Sequence, residues 1–147
     1  MIPRFKPQYD ITDWVAALKP TSGNITRYEK EFASKFGRNY GVMFSHGRTG
    51  IYALLNVWGL KEAEIICPAY TCVVVPNAIV LSGNIPVFVD CEENGFNMDL
   101  AGIRKAITHK TRVIIPTHLF GYPMDVEAVL RLPLEREKNL RPESAGR

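Results

Sequence analysis

Apolar residues along the chain follow two alternating patterns, one with the period of a helix and one made of short unbroken runs. Ile51, Leu54, Leu55 and Trp58 show the i, i+3, i+4, i+7 spacing of an amphipathic helix. Short apolar runs that end at Pro or Asp are typical of strands buried on both faces. The patterns predict helices over residues 10–18, 24–36, 48–58, 71–81, 99–107 and 125–132. They predict strands over residues 40–45, 64–67, 85–89 and 112–115.

The order of these elements predicts the fold class. Short strands alternate with longer helices, which indicates βαβ units, right-handed crossovers and a mostly parallel sheet covered on both faces. Gly37 and Gly59 each follow a predicted helix and suit a left-handed C-terminal cap. Pro76 is compatible with a helix only near the first turn. The sequence therefore predicts an α/β domain.

The alternation of elements also sets the expected domain boundaries. Residues 1–23 contain three prolines and one short helical stretch, so we expect an N-terminal arm there. Residues 24–132 carry the alternation and form the predicted domain. Residues 133–147 have alternating charges and few large apolar side chains, so a solvated tail is expected. Because nothing in this tail continues the pattern, an out-of-frame segment is a second explanation for it.

Charge and composition restrict the kind of partner and the compartment. The formal net charge of +3 is too small to predict nucleic-acid binding. No apolar run approaches the roughly 18 residues of a membrane span, and the first ten residues lack the apolar stretch of a signal peptide. The sequence predicts a cytoplasmic protein. Its three cysteines lack CxxC spacing, which favours reduced, mostly buried thiols over a zinc site.

The segment 44–50 is the strongest candidate for ligand binding, because it joins a predicted strand to the clearest predicted helix. The first turn of a helix offers unpaired N–H groups and the positive end of the helix dipole. Gly47 lets an anion approach the backbone closely, and the Thr49 hydroxyl adds a donor. Phosphate is the natural ligand of such a turn. The alternative is an ordinary glycine turn in which Thr49 caps the helix.

Two further segments follow predicted strands, at residues 68–72 and 116–121. Ligands of open α/β sheets lie beyond the carboxyl ends of the strands, so both segments are expected on the same rim. Cys72 and His118 are the side chains there that could contact a ligand. The alternatives are a Cys72 that behaves as a small apolar residue and a His118 with a structural role.

Seven segments in order resemble motifs of the DegT/DnrJ/EryC1/StrS aminotransferases, over about residues 28–129. They are SHGRT at 45–49, ICPAYTC at 66–72, NAI at 77–79, PVFVD at 86–90, FNMD at 96–99, IT and KT within 107–111, and IPTHLFG with MD within 115–125. Members of this family are fold type I enzymes that use pyridoxal 5'-phosphate (PLP), and most act on nucleotide-linked keto-sugars. The resemblance implies an incomplete three-layer α/β/α large domain, corresponding to the N-terminal part of the family fold.

The resemblance also implies roles for the site residues. Gly47, Arg48 and Thr49 would hold the phosphate of PLP. Cys72 falls where the family usually has an aromatic ring stacked on the pyridine, and a thiol supplies much less π-contact. His118 lies in the family's fourth-strand corner and is expected near the cofactor. A nucleotide-sugar and an amino donor would be the substrates, and the expected assembly is a homodimer or a complex with a complementing chain.

Transamination needs a lysine that forms a Schiff base and an acid paired with the pyridinium nitrogen. In the family both lie beyond the point that corresponds to Val129. The chain's eight lysines fall on polar helix faces or in turns and irregular segments. The resemblance therefore implies a truncated relative that is inactive alone. The alternatives are a non-catalytic phosphate- or nucleotide-binding module and a partner-binding module.

The family fold also implies a strand arrangement. Strands 64–67 and 85–89 are expected to be neighbours. Strands 40–45 and 112–115 are expected to pair with strands that this chain does not contain. Their exposed edges would make the isolated chain marginally stable or lead to a rearranged sheet.

Overall fold

A computed structural model of the chain describes residues 9–18 and 23–132. The chain divides into two compact units, residues 1–43 and 44–147. The elements are α1 (Ile11–Ala17), α2 (Asn24–Lys35), α3 (Gly47–Val57), β1 (Glu64–Pro68), α4 (Val74–Leu81), β2 (Ile85–Val89), α5 (Leu100–Ala106), β3 (Thr111–Ile114), a 3₁₀ turn (Leu119–Gly121) and α6 (Val126–Leu130). Residues 1–8 and 19–22 of the predicted arm and the whole predicted tail, 133–147, lie outside the described residues.

The first unit contains α1 and α2. Along α2 the rings of Tyr28, Phe32 and Phe36 form one ladder, with centroids 5.7 and 4.8 Å apart, which confirms that they share a face. Gly37 follows the helix with φ 62°, as expected for a left-handed cap.

The predicted strand at residues 40–45 is wrong. Residues 40–45 form no strand in the part of the chain that the structure describes. The side chains of Tyr40 and Val42 are exposed, and the Met43 N–H donates to the Glu29 carboxylate at 2.7 Å instead of to a strand. An extended run of apolar residues becomes a strand only when a neighbouring strand accepts its hydrogen bonds, and no described strand does so here.

The second unit is built on a parallel sheet with the strand order β2-β1-β3. The predicted neighbours 64–67 and 85–89 are confirmed, with Glu64 opposite Ile85. The expectation for residues 112–115 is corrected, because β3 pairs with β1 of the same chain, with Ile66 opposite Ile114. One side of β3 is therefore paired within the chain.

The central strand β1 separates two apolar layers, which gives the α/β/α arrangement. The layer on one face, to which α3 and α4 contribute, consists of Leu55, Leu60, Ala63, Ile65, Cys67, Val75 and Ile79. Side chains on the other face pack with α5 and α6: Ile66, Val89, Met98, Ile103, Met124, Val129 and Leu132. Successive strand residues point to opposite faces, so Ile65 and Ile66 belong to different layers.

Local signals in the sequence place the helix ends of this unit. Pro76 lies in the first turn of α4, where no helical N–H is lost, as predicted. Gly59 has φ 66° after α3. The Asp99 carboxylate caps α5 by accepting from the Ala101 and Gly102 N–H groups at 3.2 and 2.8 Å. None of the described helices is long and apolar enough to cross a lipid bilayer.

Candidate phosphate-binding site

The predicted phosphate residues Gly47, Arg48 and Thr49 form the first turn of α3, and all three are exposed. His46 precedes the helix in an extended conformation, and its carbonyl accepts from the Thr49 and Gly50 N–H groups at 3.0 and 3.4 Å. None of the described side chains caps the N-terminus of α3. The alternative interpretation, in which Thr49 caps this helix, is therefore wrong. The N–H groups of Gly47 and Arg48 have no partner in the described part of the chain.

Gly47 differs from the other nine glycines within the described ranges. It is not held in a positive φ, and no heavy atom lies within 4 Å of the position that its Cβ would take. Neither backbone strain nor protein packing therefore requires glycine there. By contrast, a Cβ at Gly50 would lie 3.3 Å from the Phe44 ring. The backbone at Gly47 therefore has open space beside it, next to two N–H groups that have no partner among the described residues.

The charges around this turn favour an anion. The N-terminus of a helix carries about half a positive charge, so proteins usually place acidic residues in the first turn. The first turn of α3 contains no acidic residue and contains Arg48 instead. Arg48 makes no ion pair with any described residue. The turn thus combines a guanidinium, the helix dipole and two N–H donors without a partner among the described residues, which is the chemistry of a phosphate or carboxylate site.

A cavity of about 360 Å³ adjoins this turn between α3 and α4. It is lined by Arg48, Thr49, Tyr52, Asn77, Ala78 and Leu81. Sequence reasoning did not select Tyr52 or Asn77. The signal for Asn77 was present, because it is the one polar side chain in the apolar helix VVPNAIVL. Tyr52 lies one turn after Thr49, which is the spacing that puts two side chains on one helix face.

Cys72 and His118 lie in separate loops and do not line this cavity. Cys72 is exposed in the corner between β1 and α4, which corrects the expectation of mostly buried thiols, although Cys67 is fully buried. Burial raises the pKa of Cys67 to about 11. Next to Cys72, the Thr71 hydroxyl oxygen is buried and has no hydrogen-bond partner among the described residues.

His118 lies in the loop after β3 and is exposed. Its Nδ1 accepts a hydrogen bond from the Met124 N–H at 2.9 Å. Only Nε2 is then left to reach a ligand, so His118 has a structural contact in addition to its predicted role. A contact between His118 and a cofactor remains a prediction.

The comparison with known proteins gives the family. The sequence profile of the DegT/DnrJ/EryC1/StrS aminotransferase family matches residues 11–140. The chain belongs to this family. Its glycine-led α3 turn and its β1–α4 corner are thus parts of a family fold rather than isolated coincidences of spacing.

Two of the relatives carry the names of nucleotide-sugar enzymes. GDP-perosamine synthase of Escherichia coli O157:H7 is 32% identical over 125 residues, which is 84% of this chain and 33% of that protein. UDP-N-acetyl-3-dehydro-alpha-D-glucosamine 3-aminotransferase of Acidithiobacillus ferrooxidans is 34% identical over 105 residues, which is 71% of this chain and 28% of that protein. The chain therefore spans about a third of the length of the relatives it matches.

Solved structures confirm the fold class. Spr1654 from Streptococcus pneumoniae in its PLP form superposes with a TM-score of 0.80 at 27% identity, over 89% of this chain and 36% of that one. The enzyme NtdA from Bacillus subtilis with bound PMP gives a TM-score of 0.69 at 31% identity, over 81% and 28% of the two chains. The predicted α/β, fold type I architecture is therefore correct, and the chain covers only part of these structures.

Proposed function

We propose that this chain supplies the phosphate-binding part of a PLP-dependent enzyme that transfers an amino group to a nucleotide-linked keto-sugar. One observation carries the proposal: the first turn of α3 presents Gly47 and Arg48 N–H groups with no partner among the described residues, beside a glycine that packing does not require. The substrate class comes from two relatives whose names are those of a GDP-sugar and a UDP-sugar enzyme.

The residues present fit the phosphate group of the cofactor. The Gly47 and Arg48 N–H groups would donate to phosphate oxygens, the Arg48 guanidinium would balance their charge, and the Thr49 hydroxyl would add a donor. The Thr71 hydroxyl, which has no partner among the described residues, and the Cys72 thiol lie at the next corner of the sheet, where the cofactor ring is expected. When bound, PLP acts as the electron sink for amino transfer. This chain's residues would anchor and orient it.

We further propose that the chain is inactive alone, because the lysine that binds the cofactor covalently comes from sequence that this chain does not include. A lysine active in this chemistry is normally desolvated, which makes its neutral form accessible near pH 7. The described lysines are all exposed: Lys30, Lys35, Lys61, Lys105 and Lys110. Lys61 is moreover held by the Asn56 side chain and the Ser82 carbonyl, at 3.1 and 2.8 Å.

Titration with PLP tests the proposed anchor. Thr49→Val keeps the shape of the side chain and removes its hydroxyl, so the affinity for PLP should fall about tenfold or more, the usual effect of losing a hydrogen bond to a charged group. Thr26→Val, on the exposed surface of α2, is the matched control and should leave the affinity unchanged. Equal PLP affinities of the unchanged chain, Thr49→Val and Thr26→Val would refute the proposed contact between Thr49 and the phosphate. Displacement of PLP by simple nucleotides would favour the nucleotide-binding module.

We also propose that a partner completes the sheet. This partner is either a second copy of the chain or a complementing chain. The outer edge of β3 has no neighbouring strand among the described residues, and an open edge promotes association. Analytical ultracentrifugation should show self-association, or a complex with a chain that carries the rest of the family fold. A monomer that stays unchanged at all concentrations and with that chain would contradict this part.

A further inference from the structure

Three exposed aromatic rings meet in the second unit, and none of them lines the cavity next to the α3 turn. Tyr70 follows β1, Phe96 follows β2 and Phe120 follows β3, so one ring lies in the segment after each strand of the sheet. The ring centroids of Tyr70 and Phe96 are 6.3 Å apart, and those of Phe96 and Phe120 are 5.5 Å apart. The three residues are 53%, 48% and 79% exposed. The carboxyl ends of parallel strands form the ligand-binding rim of an open sheet.

These rings are held in place by specific contacts. Phe120 has φ 54°, a left-handed conformation that L side chains rarely adopt. Its loop is closed by the hydrogen bond from the Met124 N–H to His118 Nδ1. The side chain of Asn97, which is 7% exposed, donates to the Pro123 carbonyl at 3.0 Å and ties this loop to the one after β2. Such strain persists where the surroundings enforce it, and it clusters at ligand sites.

Hydrogen-bond acceptors accompany the rings. The Glu92 side chain folds over Gly95, so that a Cβ at residue 95 would collide with its carboxylate. Glu92 is exposed, and Gly95 directly precedes Phe96. The Asn97 side-chain oxygen is buried with no partner within the described ranges. The acidic residues in this loop would repel phosphate groups. A neutral heterocyclic ligand with N–H donors therefore suits this site better than a diphosphate does.

We propose that Tyr70, Phe96 and Phe120 form a stacking surface for the base of the nucleotide-linked sugar, and that Glu92 makes this surface selective for guanine. This inference rests on the proposed function, which supplies a nucleotide-linked ligand. Base stacking on aromatic side chains is a common source of nucleotide affinity. Guanine offers two adjacent donors, N1–H and the 2-amino group, to one carboxylate, whereas uracil offers a single imino N–H.

Isothermal titration of the 147-residue chain with GDP and with UDP tests the assignment. The unchanged chain should bind GDP more tightly than UDP. Phe96→Leu should weaken GDP binding about tenfold, the usual effect of removing one stacked ring. Glu92→Gln should bring the GDP affinity close to that of UDP. Phe36→Leu, which changes another exposed ring on the surface of α2, is the matched control and should change neither affinity.

The same variants are titrated with PLP to separate the two proposals. GDP and PLP should bind simultaneously, and Phe96→Leu should leave PLP affinity unchanged. Equal GDP and UDP affinities, or GDP binding that is unchanged in Phe96→Leu, would refute the proposed base-stacking surface. PLP binding in the same experiment would still support the phosphate site at the first turn of α3. GDP binding that follows the predicted pattern in a chain that binds no PLP would instead refute the proposed function and leave the base site standing.

Discussion

Replacing Gly47 by alanine should change folding stability and ligand binding in opposite directions. The added Cβ meets no heavy atom within 4 Å, and the backbone there does not have the positive φ that would strain an L residue. Gly→Ala at a compatible helical position stabilises a protein by about 0.4–1 kcal/mol, mainly by reducing the freedom of the unfolded chain. Urea unfolding followed by circular dichroism should therefore give the Gly47→Ala variant an equal or higher free energy of unfolding.

The same methyl group would stand on the first turn of α3 beside the Gly47 and Arg48 N–H groups, which have no partner among the described residues. A phosphate pushed away from one such donor loses a charge-assisted hydrogen bond of about 1.5–3 kcal/mol, which is about a tenfold to hundredfold loss of affinity. Fluorescence titration with PLP measures this loss.

Gly59→Ala is the matched control at the other end of α3. Its φ of 66° should make that variant less stable, by about 1–2 kcal/mol, with PLP affinity retained in the folded protein. If the Gly47→Ala variant bound PLP as tightly as the unchanged chain, no phosphate would approach the backbone there, and the reasoning would be refuted.

Three further predictions concern the corner after β1 and the core. Cys72→Phe should raise PLP affinity several-fold, since an aromatic contact adds about 0.5–1.5 kcal/mol, whereas Cys72→Ser should not; titration of both variants decides this. In the folded chain, Cys72 should react with a thiol reagent well before Cys67, whose burial raises its pKa to about 11, and equal rates by mass spectrometry would contradict the burial. Ile65→Ala should cost about 2–5 kcal/mol of unfolding free energy, while Ile85→Ala, at a 48% exposed position, should cost much less in the same urea assay.

The predictable part of the fold was the part fixed by local sequence. Continuous apolar runs identified β1 and β2, and glycines at positive φ ended α2 and α3 where predicted. The segment 40–45 failed because strand formation depends on a partner, which an apolar run cannot reveal. The pairing of β3 with β1 depends likewise on tertiary contacts.

The site was predictable to a similar extent. The first turn of α3 followed from Gly47 and Thr49, since a glycine and a hydroxyl at a strand-to-helix junction have a direct physical meaning. The cavity lined by Asn77 was not foreseen, because it forms between two helices whose relative position the sequence does not encode locally. The hydrogen bond from the Met124 N–H to His118 Nδ1 was also missed, because it depends on the conformation of the loop after β3, in which Phe120 has a positive φ.

The central claim, that the first turn of α3 holds the phosphate of the cofactor, is tested most directly by nuclear magnetic resonance of the ¹⁵N-labelled chain, whose mass is 16.6 kDa. On addition of PLP, the amide resonances of Gly47 and Arg48 should shift most, because a phosphate oxygen would accept directly from those N–H groups. Saturable shifts centred elsewhere, with these two amides unmoved, would contradict the account.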